Sequence, residues 1–343
     1  MALEGAYFTH SDGLYEAAER RKAPRCVDSG KRLQKKAKFI LLELIPMVIK
    51  LVIVALPGLL RDLLRTILPA RHKSIANQVA LVTGGGNGLG RALCLRLAQD
   101  GCSVAVADID LVSAQKTAEE IRQRFGKPVD AFRVDVGDYG SVQQLRKDVE
   151  RSLGPVDILV NNAGLLAMLS LSEGKAEDIR RIIDVNLMAH FWTIREFKEG
   201  MVERGRGHIV AICSMFGIIP CGRTISYTTT KFGVKGLMAA LKEEIYMDDL
   251  SDCIHTTCVY PAGVATRKEF VDFVQSLSKI KIPWNSPESV ANMVVDAVRA
   301  NKAEIVPSHF MIKLLTTVFP LIPTALVHST VDVCLGTVPK LTK

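Results

Sequence analysis

Val79-Ala-Leu-Val-Thr83-Gly84-Gly85-Gly86-Asn87-Gly88-Leu89-Gly90-Arg91-Ala-Leu-Cys-Leu-Arg-Leu-Ala98 changes character twice. A short β-branched and apolar run passes into a glycine-rich turn, and the turn into a helical pattern. Glycines in that place let a pyrophosphate approach the backbone, while the helix start offers free N–H groups and a partial positive charge. The alternative is an ordinary strand-to-helix loop. A second apolar run, Ser103 to Ala107, ends at Asp108, near the spacing of about 20 residues expected for a carboxylate that receives the adenosine ribose hydroxyls. Asp108 would repel a 2′-phosphate, which favours NAD over NADP. Asn87 stands where a basic side chain could have met that phosphate, and Asp110 is a second carboxylate able to share the role.

The same alternation continues along the chain. Ala131 to Val134 leads to Asp135, Val156 to Val160 to Asn161-Asn162-Ala163-Gly164, His208 to Cys213 to Ser214, and Thr256 to Tyr260 to Pro261-Ala262-Gly263, with Glu304 to Val306 as the last run. Short apolar runs separated by helical segments predict a parallel sheet buried on both faces, with ligands at the carboxyl ends of the strands. The expected fold class is α/β, a single Rossmann-type doubly wound parallel sheet of about seven strands with helices on both faces, preceded by a membrane-associated helix.

Tyr227 and Lys231, four residues apart in a helical pattern, share one face. A tyrosine near its ordinary pKa of about 10 is rarely ionised at neutral pH, so a neighbouring cation is needed for it to act as a base. Ser214 follows a buried strand and otherwise reads as the start of a turn before Gly217.

Thr83 to Gly90, Asn161 to Gly164, Asn186 within Asp184-Val-Asn-Leu187, Ser214, Tyr227 with Lys231, and Pro261 to Thr266 occur in one order over residues 76–308. In this the chain resembles the short-chain dehydrogenase/reductase family. The resemblance implies that Tyr227 is the acid/base, that Lys231 acidifies it and holds the nicotinamide ribose, that Ser214 hydrogen-bonds the substrate oxygen, and that Asn186 holds a water linking the lysine to solvent. It assigns Gly84, Asn87, Gly88, Leu89, Gly90, Asp108, Asp135, Val136, Asn162, Ala163, Gly164, Val264 and Thr266, with Tyr227 and Lys231, to a cofactor that is NAD, with NADP as the alternative. Asn161 is expected to help shape that pocket. The glycine at 263 stands second after Pro261 rather than next to it, a departure that bears on Val264 and Thr266.

The 343 residues divide into a basic segment at 1–38, an apolar segment and linker at 39–75, the catalytic domain at 76–308 and an apolar extension at 309–343. Phe39 to Leu60 has the length for a bilayer crossing, which takes about 20 apolar residues. Glu43, Lys50, Pro46 and Pro57 interrupt it, and basic residues flank it on both sides. A single span and a re-entrant or interfacial anchor both fit, with the catalytic domain facing the cytosol. The tail from Phe310 to Val327 is broken by Pro320 and Pro323; it could contact a membrane or close the substrate pocket.

A formal charge of +8, partly concentrated around that anchor, suits anionic phospholipid. No interleaved aromatic and basic motif points to nucleic acid. The eight cysteines form neither Cys-x-x-Cys pairs nor Cys/His clusters, so no metal is implied.

Within the family the chain looks most like the microsomal retinol and hydroxysteroid dehydrogenases. That likeness implies a lipophilic alcohol or carbonyl substrate, retinol or retinal first, membrane lipid as a partner, a homodimer, and a place on the endoplasmic reticulum membrane or the lipid droplet surface. The competing readings are an NADPH-dependent retinal or ketosteroid reductase, a catalytically idle NAD-binding scaffold on a lipid surface, and a non-redox epimerase or dehydratase.

Overall fold

The computed structural model describes residues 38–50, 52–53, 56, 72–166, 172, 174–222, 224–266, 271–272, 284–308 and 310–319. Contacts divide the chain into two units, Met1–Ala70 and Arg71–Lys343. In the first, residues 38–50 are helical with a π-helical turn at Ile40–Leu44, and Phe39, Leu41, Leu42, Met47, Ile49 and Ile53 are exposed. No helix among the described residues is long and apolar enough to cross a membrane. The stretch of Phe39 to Leu60 beyond residue 56 lies outside the described residues, as do the basic segment at 1–37 and the tail from residue 320.

The second unit is built on one sheet whose strands β1 (Val79–Thr83), β2 (Ser103–Asp108), β3 (Val129–Arg133), β4 (Ile158–Asn161), β5 (Gly207–Ile212), β6 (Ile254–Val259) and β7 (Glu304–Ile305) run in the order β3-β2-β1-β4-β5-β6-β7. Every neighbouring pair is parallel. The order reverses between β1 and β4, and the crevice beyond the carboxyl ends of those strands is where a ligand fits such a sheet. Helices α1 (Gly88–Gln99), α2 (Leu111–Phe125), α3 (Tyr139–Ser152), α4 (Ala176–Ile183), α5 (Ala189–Glu203), α6 (Ile225–Met247), α7 (Pro287–Arg299) and α8 (Phe310–Val318) complete the unit. A π-helical segment, Asp184–Met188, joins α4 to α5.

Alternation along β1 explains why its neighbours need apolar side chains on both sides. Ala80 and Val82 enter one core layer with Leu93 and Leu97 of α1, whereas Val79 and Leu81 enter the other with Phe197 and Met201 of α5. Burying a side chain such as Leu93 contributes about 1.5–3 kcal/mol. Helix starts are set locally: Asp110 accepts from the Val112 and Ser113 amides, Asp138 from Ser141, and Ser286 from Ser289 with Pro287 in the first turn.

The folded unit begins before residue 76. The Lys73 amide donates to Arg299 O at 2.8 Å, and Ile75 is buried in the core beside Cys102. The six residues Lys73-Ser-Ile-Ala-Asn-Gln78 before β1 carry no periodic signal, so this docking was illegible in the sequence.

Candidate active site

The glycine turn is held by its neighbours before any ligand arrives. Thr83 Oγ1, at the end of β1, accepts from the Asn162 and Ala163 amides at 3.0 and 3.1 Å. Asn162 Nδ2 returns hydrogen bonds to Thr83 O and Gly84 O at 2.9 and 3.1 Å. The carboxyl ends of β1 and β4 are thus clamped together. Gly84 has φ +64°, and a Cβ on Gly90 would stand 1.9 Å from Gly84 O, so the first turn of α1 can lie against the loop only as glycine.

Asp108 faces this turn from the end of β2. Its Oδ2 accepts from the Gly86 amide at 2.9 Å and its Oδ1 from the Asp110 amide at 3.0 Å. Asp110 is occupied elsewhere: it caps α2, and its bonds with Ser113 hold its carboxyl below the usual range. Asp108 is therefore the carboxylate at the turn. Asn87 is exposed and makes no side-chain cap bond. Thr266 lies against Gly88, close to where a Cβ there would fall. The departure after Pro261 thus leaves Thr266 at the start of α1.

Some expected cofactor residues have their side chains occupied elsewhere. Leu89, Val136 and Val264 pack into the core layers. The Asp135 carboxylate is gripped by both Arg181 nitrogens at 3.0 Å and by the Gly137 amide at 2.9 Å. Arg181 is a partner that sequence reading did not find, because it arrives from α4, far along the chain.

The second cluster is centred on α6. Lys231 is 4% exposed, its ammonium donates to Ile212 O at 3.0 Å, and its Nζ lies 5.5 Å from the Tyr227 ring centroid. That distance is within cation–π reach. Tyr227 is half-buried, and Phe216 meets its ring edge-on at 6.2 Å. Phe216 belongs to the 3-10 turn Met215–Gly217, which Ser214 caps by accepting the Phe216 amide at 3.2 Å. Ser214 is thus a turn-starting serine whose turn sets Phe216 against Tyr227, and its hydroxyl proton remains free to donate.

Gly217 is a site residue whose role the sequence left as an ordinary turn. A Cβ there would stand 2.6 Å from Cys213 Sγ and 2.9 Å from Lys231 O, so only glycine lets the Ser214 turn press on α6 at Lys231. Asn186, fully buried, accepts the Leu165 amide at 2.7 Å and donates to Leu165 O at 2.8 Å and Thr230 Oγ1 at 3.4 Å. Its side-chain amide is committed to the Leu165 peptide. The water that the resemblance implies at Asn186 is therefore not one its side chain is free to hold. Gly164 sits between the clusters: a Cβ on it would lie 3.5 Å from Asn186 Oδ1 and 3.9 Å from Lys231 Nζ.

The residues fit a dinucleotide. The glycine cradle at a helix start would take the pyrophosphate, Asp108 the ribose at one end, and Lys231 the ribose at the other. The sequence profile described as short chain dehydrogenase matches residues 78–270. The chain belongs to the short-chain dehydrogenase family. It is an oxidoreductase of CH–OH groups that uses NAD(P).

Among relatives of this short-chain dehydrogenase, 17-beta-hydroxysteroid dehydrogenase 13 of Rattus norvegicus is 32% identical over 262 residues, covering 76% of this chain and 85% of the relative. Estradiol 17-beta-dehydrogenase 11 of Macaca fascicularis is 30% identical over 239 residues, covering 70% and 77%. Among solved structures, a metagenomic short-chain oxidoreductase in complex with NADP superposes with TM-score 0.58 at 26% identity, over 69% of this chain and all of that one. A short-chain type dehydrogenase/reductase from Mycobacterium marinum gives 0.62 at 26%, over 68% and 94%.

Proposed function

We propose that this short-chain dehydrogenase oxidises a lipophilic alcohol with NAD⁺, and that Tyr227 removes the hydroxyl proton. The observation that carries the reading is the buried Lys231 ammonium, anchored on Ile212 O and set beside the Tyr227 ring, which Phe216 of the Ser214 turn meets edge-on. Bound nicotinamide supplies the hydride acceptor. Ser214 donates to the substrate oxygen, Tyr227 as phenolate takes its proton, and Lys231 offsets the phenolate charge. Asp108, at the turn and bonded to the Gly86 amide, supports NAD over NADP.

The relatives are named for 17β-hydroxysteroids, and the branch that the sequence resembles also includes retinol dehydrogenases. A steroid alcohol and retinol are therefore the two substrates to be tried first. Tyr227→Phe is expected to lower kcat/KM by about 10²–10⁴-fold while NAD⁺ binding persists, the loss typical of a missing acid/base group. Assays with NAD⁺ and NADP⁺ against estradiol, retinol and a long-chain alcohol, run in both directions, check it. Undiminished turnover in the variant would remove Tyr227 from the mechanism, and a preference for NADPH-driven reduction would replace oxidation with the reductase reading.

Two further features belong to this reading. The exposed apolar side chains at Phe39 to Ile53 support attachment to the endoplasmic reticulum membrane or a lipid droplet, where such a substrate dissolves. Phe191 on α5 and Ile225 and Phe232 on α6, each exposed, support a homodimer paired through those helices; sedimentation of detergent-solubilised protein tests it.

A further inference from the structure

Near Lys231 the protein buries polar atoms that the dehydrogenase reading does not use. His190 is 1% exposed, and neither ring nitrogen has a hydrogen-bond partner among the described residues. Three residues on, along the same face of α5, Thr193 is fully buried and its hydroxyl lies 2.8 Å from Asn161 Oδ1. Asn161, 3% exposed at the end of β4, has no partner for its Nδ2. Exchanging the amide's oxygen and nitrogen only moves the deficit to the other atom. A neutral imidazole carries one donor and one acceptor, so this pocket gathers polar atoms that a dry protein interior does not leave unpaired.

The pocket lies against the proton-transfer machinery. Asn161 pairs in register with Ala211, whose neighbour Ile212 holds the Lys231 ammonium. His190 opens α5 two residues after the π-helical segment that carries Asn186, where the widened backbone makes room beside the helix. The charged group acting on His190 is Lys231 from α6; the other groups around the pocket, Asn161, Thr193 and Asn186, are neutral, and the Cys213 thiol of the β5 end bonds Lys231 O. Burial and that ammonium hold the His190 pKa down, to about 3, so the ring stays neutral and keeps a lone pair beside a cation.

We propose that His190 and Asn161 hold an internal water beside Lys231, and that His190 acts through it as a positioning residue that sustains the lysine's charge. The ammonium has three donors, and Ile212 O occupies one. A water that gives a hydrogen to the His190 lone pair can accept one from Asn161 Nδ2 and another from the ammonium. This site is separate from the water expected at Asn186. It rests on the reading of Tyr227 and Lys231 as the proton-transfer pair.

The test uses the full chain, as wild type, His190→Leu and His190→Gln, with whichever lipid alcohol the wild type oxidises. Leucine removes the acceptor, so the rise of kcat/KM with pH is expected to move up by about one pH unit, about tenfold less activity at pH 7. Glutamine, neutral and able to both donate and accept, is expected to restore the wild-type profile, with the KM for NAD⁺ within about threefold throughout. An unmoved profile, or a loss equal at every pH in both variants, overturns the positioning role. A high-resolution crystal structure of the wild type stands apart from any substrate: a water bonded to His190 and Asn161 supports the site, and a dry pocket overturns it even if the alcohol reading survives.

Discussion

Gly90 shows how little freedom a single position in this site has. A Cβ there would overlap Gly84 O, which Asn162 Nδ2 already holds. Gly90→Ala must therefore open the turn or displace α1. It is expected to weaken NAD⁺ binding at least tenfold and to cost about 1–3 kcal/mol in stability, the range for a strained core substitution; fluorescence titration with NADH and urea unfolding check the two effects. The glycine was legible in the sequence as a phosphate-loop residue. Its partner was not, because Asn162 stands far along the chain and meets the loop only when β4 lies beside β1. Arg181 at Asp135 and Gly217 at Lys231 were missed for the same reason: each does its work against a residue that no local pattern connects to it.

Secondary elements in this protein are tied at their ends. Asn162 clamps the carboxyl ends of β1 and β4, and Asn162→Ala is expected to cost about 1–3 kcal/mol for the carbonyls left without partners. That loss should appear in urea unfolding together with a raised KM for NAD⁺, while substrate KM changes less. At the other end of α1, Arg96 bonds Asp100, Asp296 and the Asn292 carbonyl, and so joins α1 to α7. Arg96→Met removes those bonds but keeps most of the apolar stem. We expect a loss of about 1–2 kcal/mol, reduced by solvent around the half-exposed Asp296, with kcat unchanged; urea unfolding and steady-state assay read the two. Strand positions were legible from apolar runs, with shifts of one or two residues at the ends. The π-helical segment was not, since its widening depends on the packing of Asn186 against Leu165 and Thr230 rather than on any residue pattern.

For the whole molecule, acid is the sensitive direction. Burial holds His190 to about 3 and His208 well below its ordinary value, the latter helped by Lys73, whose ammonium lies 3.1 Å from its ring. Both rings are neutral in the folded state and titrate normally when unfolded. Their contribution is fully present above about pH 6.5 and shrinks as pH falls toward 3, because the unfolded chain then binds protons that the folded one refuses. The urea midpoint is therefore expected to drop between pH 7 and pH 5, and the fall should be shallower in the double variant His190→Gln, His208→Gln. The proposed membrane attachment is a separate expectation: the whole 343-residue chain should float with liposomes, and residues 72–343 alone should bind them more weakly.

The sequence by itself determined the alternation of strand and helix, the glycine turn, the acidic end of β2 and the Tyr227, Lys231 and Ser214 set. Each of these is carried by spacing along one segment, where periodicity and residue chemistry act directly. Tertiary structure alone decided that Thr83 and Asn162 brace the turn, that Asp110 is spent on a helix cap, and that Leu89, Val136 and Val264 serve the core. It also decided that the His190 ring and Asn161 Nδ2 are buried without partners among the described residues. Those outcomes depend on which strands become neighbours, and a parallel sheet joins residues that only folding brings within hydrogen-bonding distance.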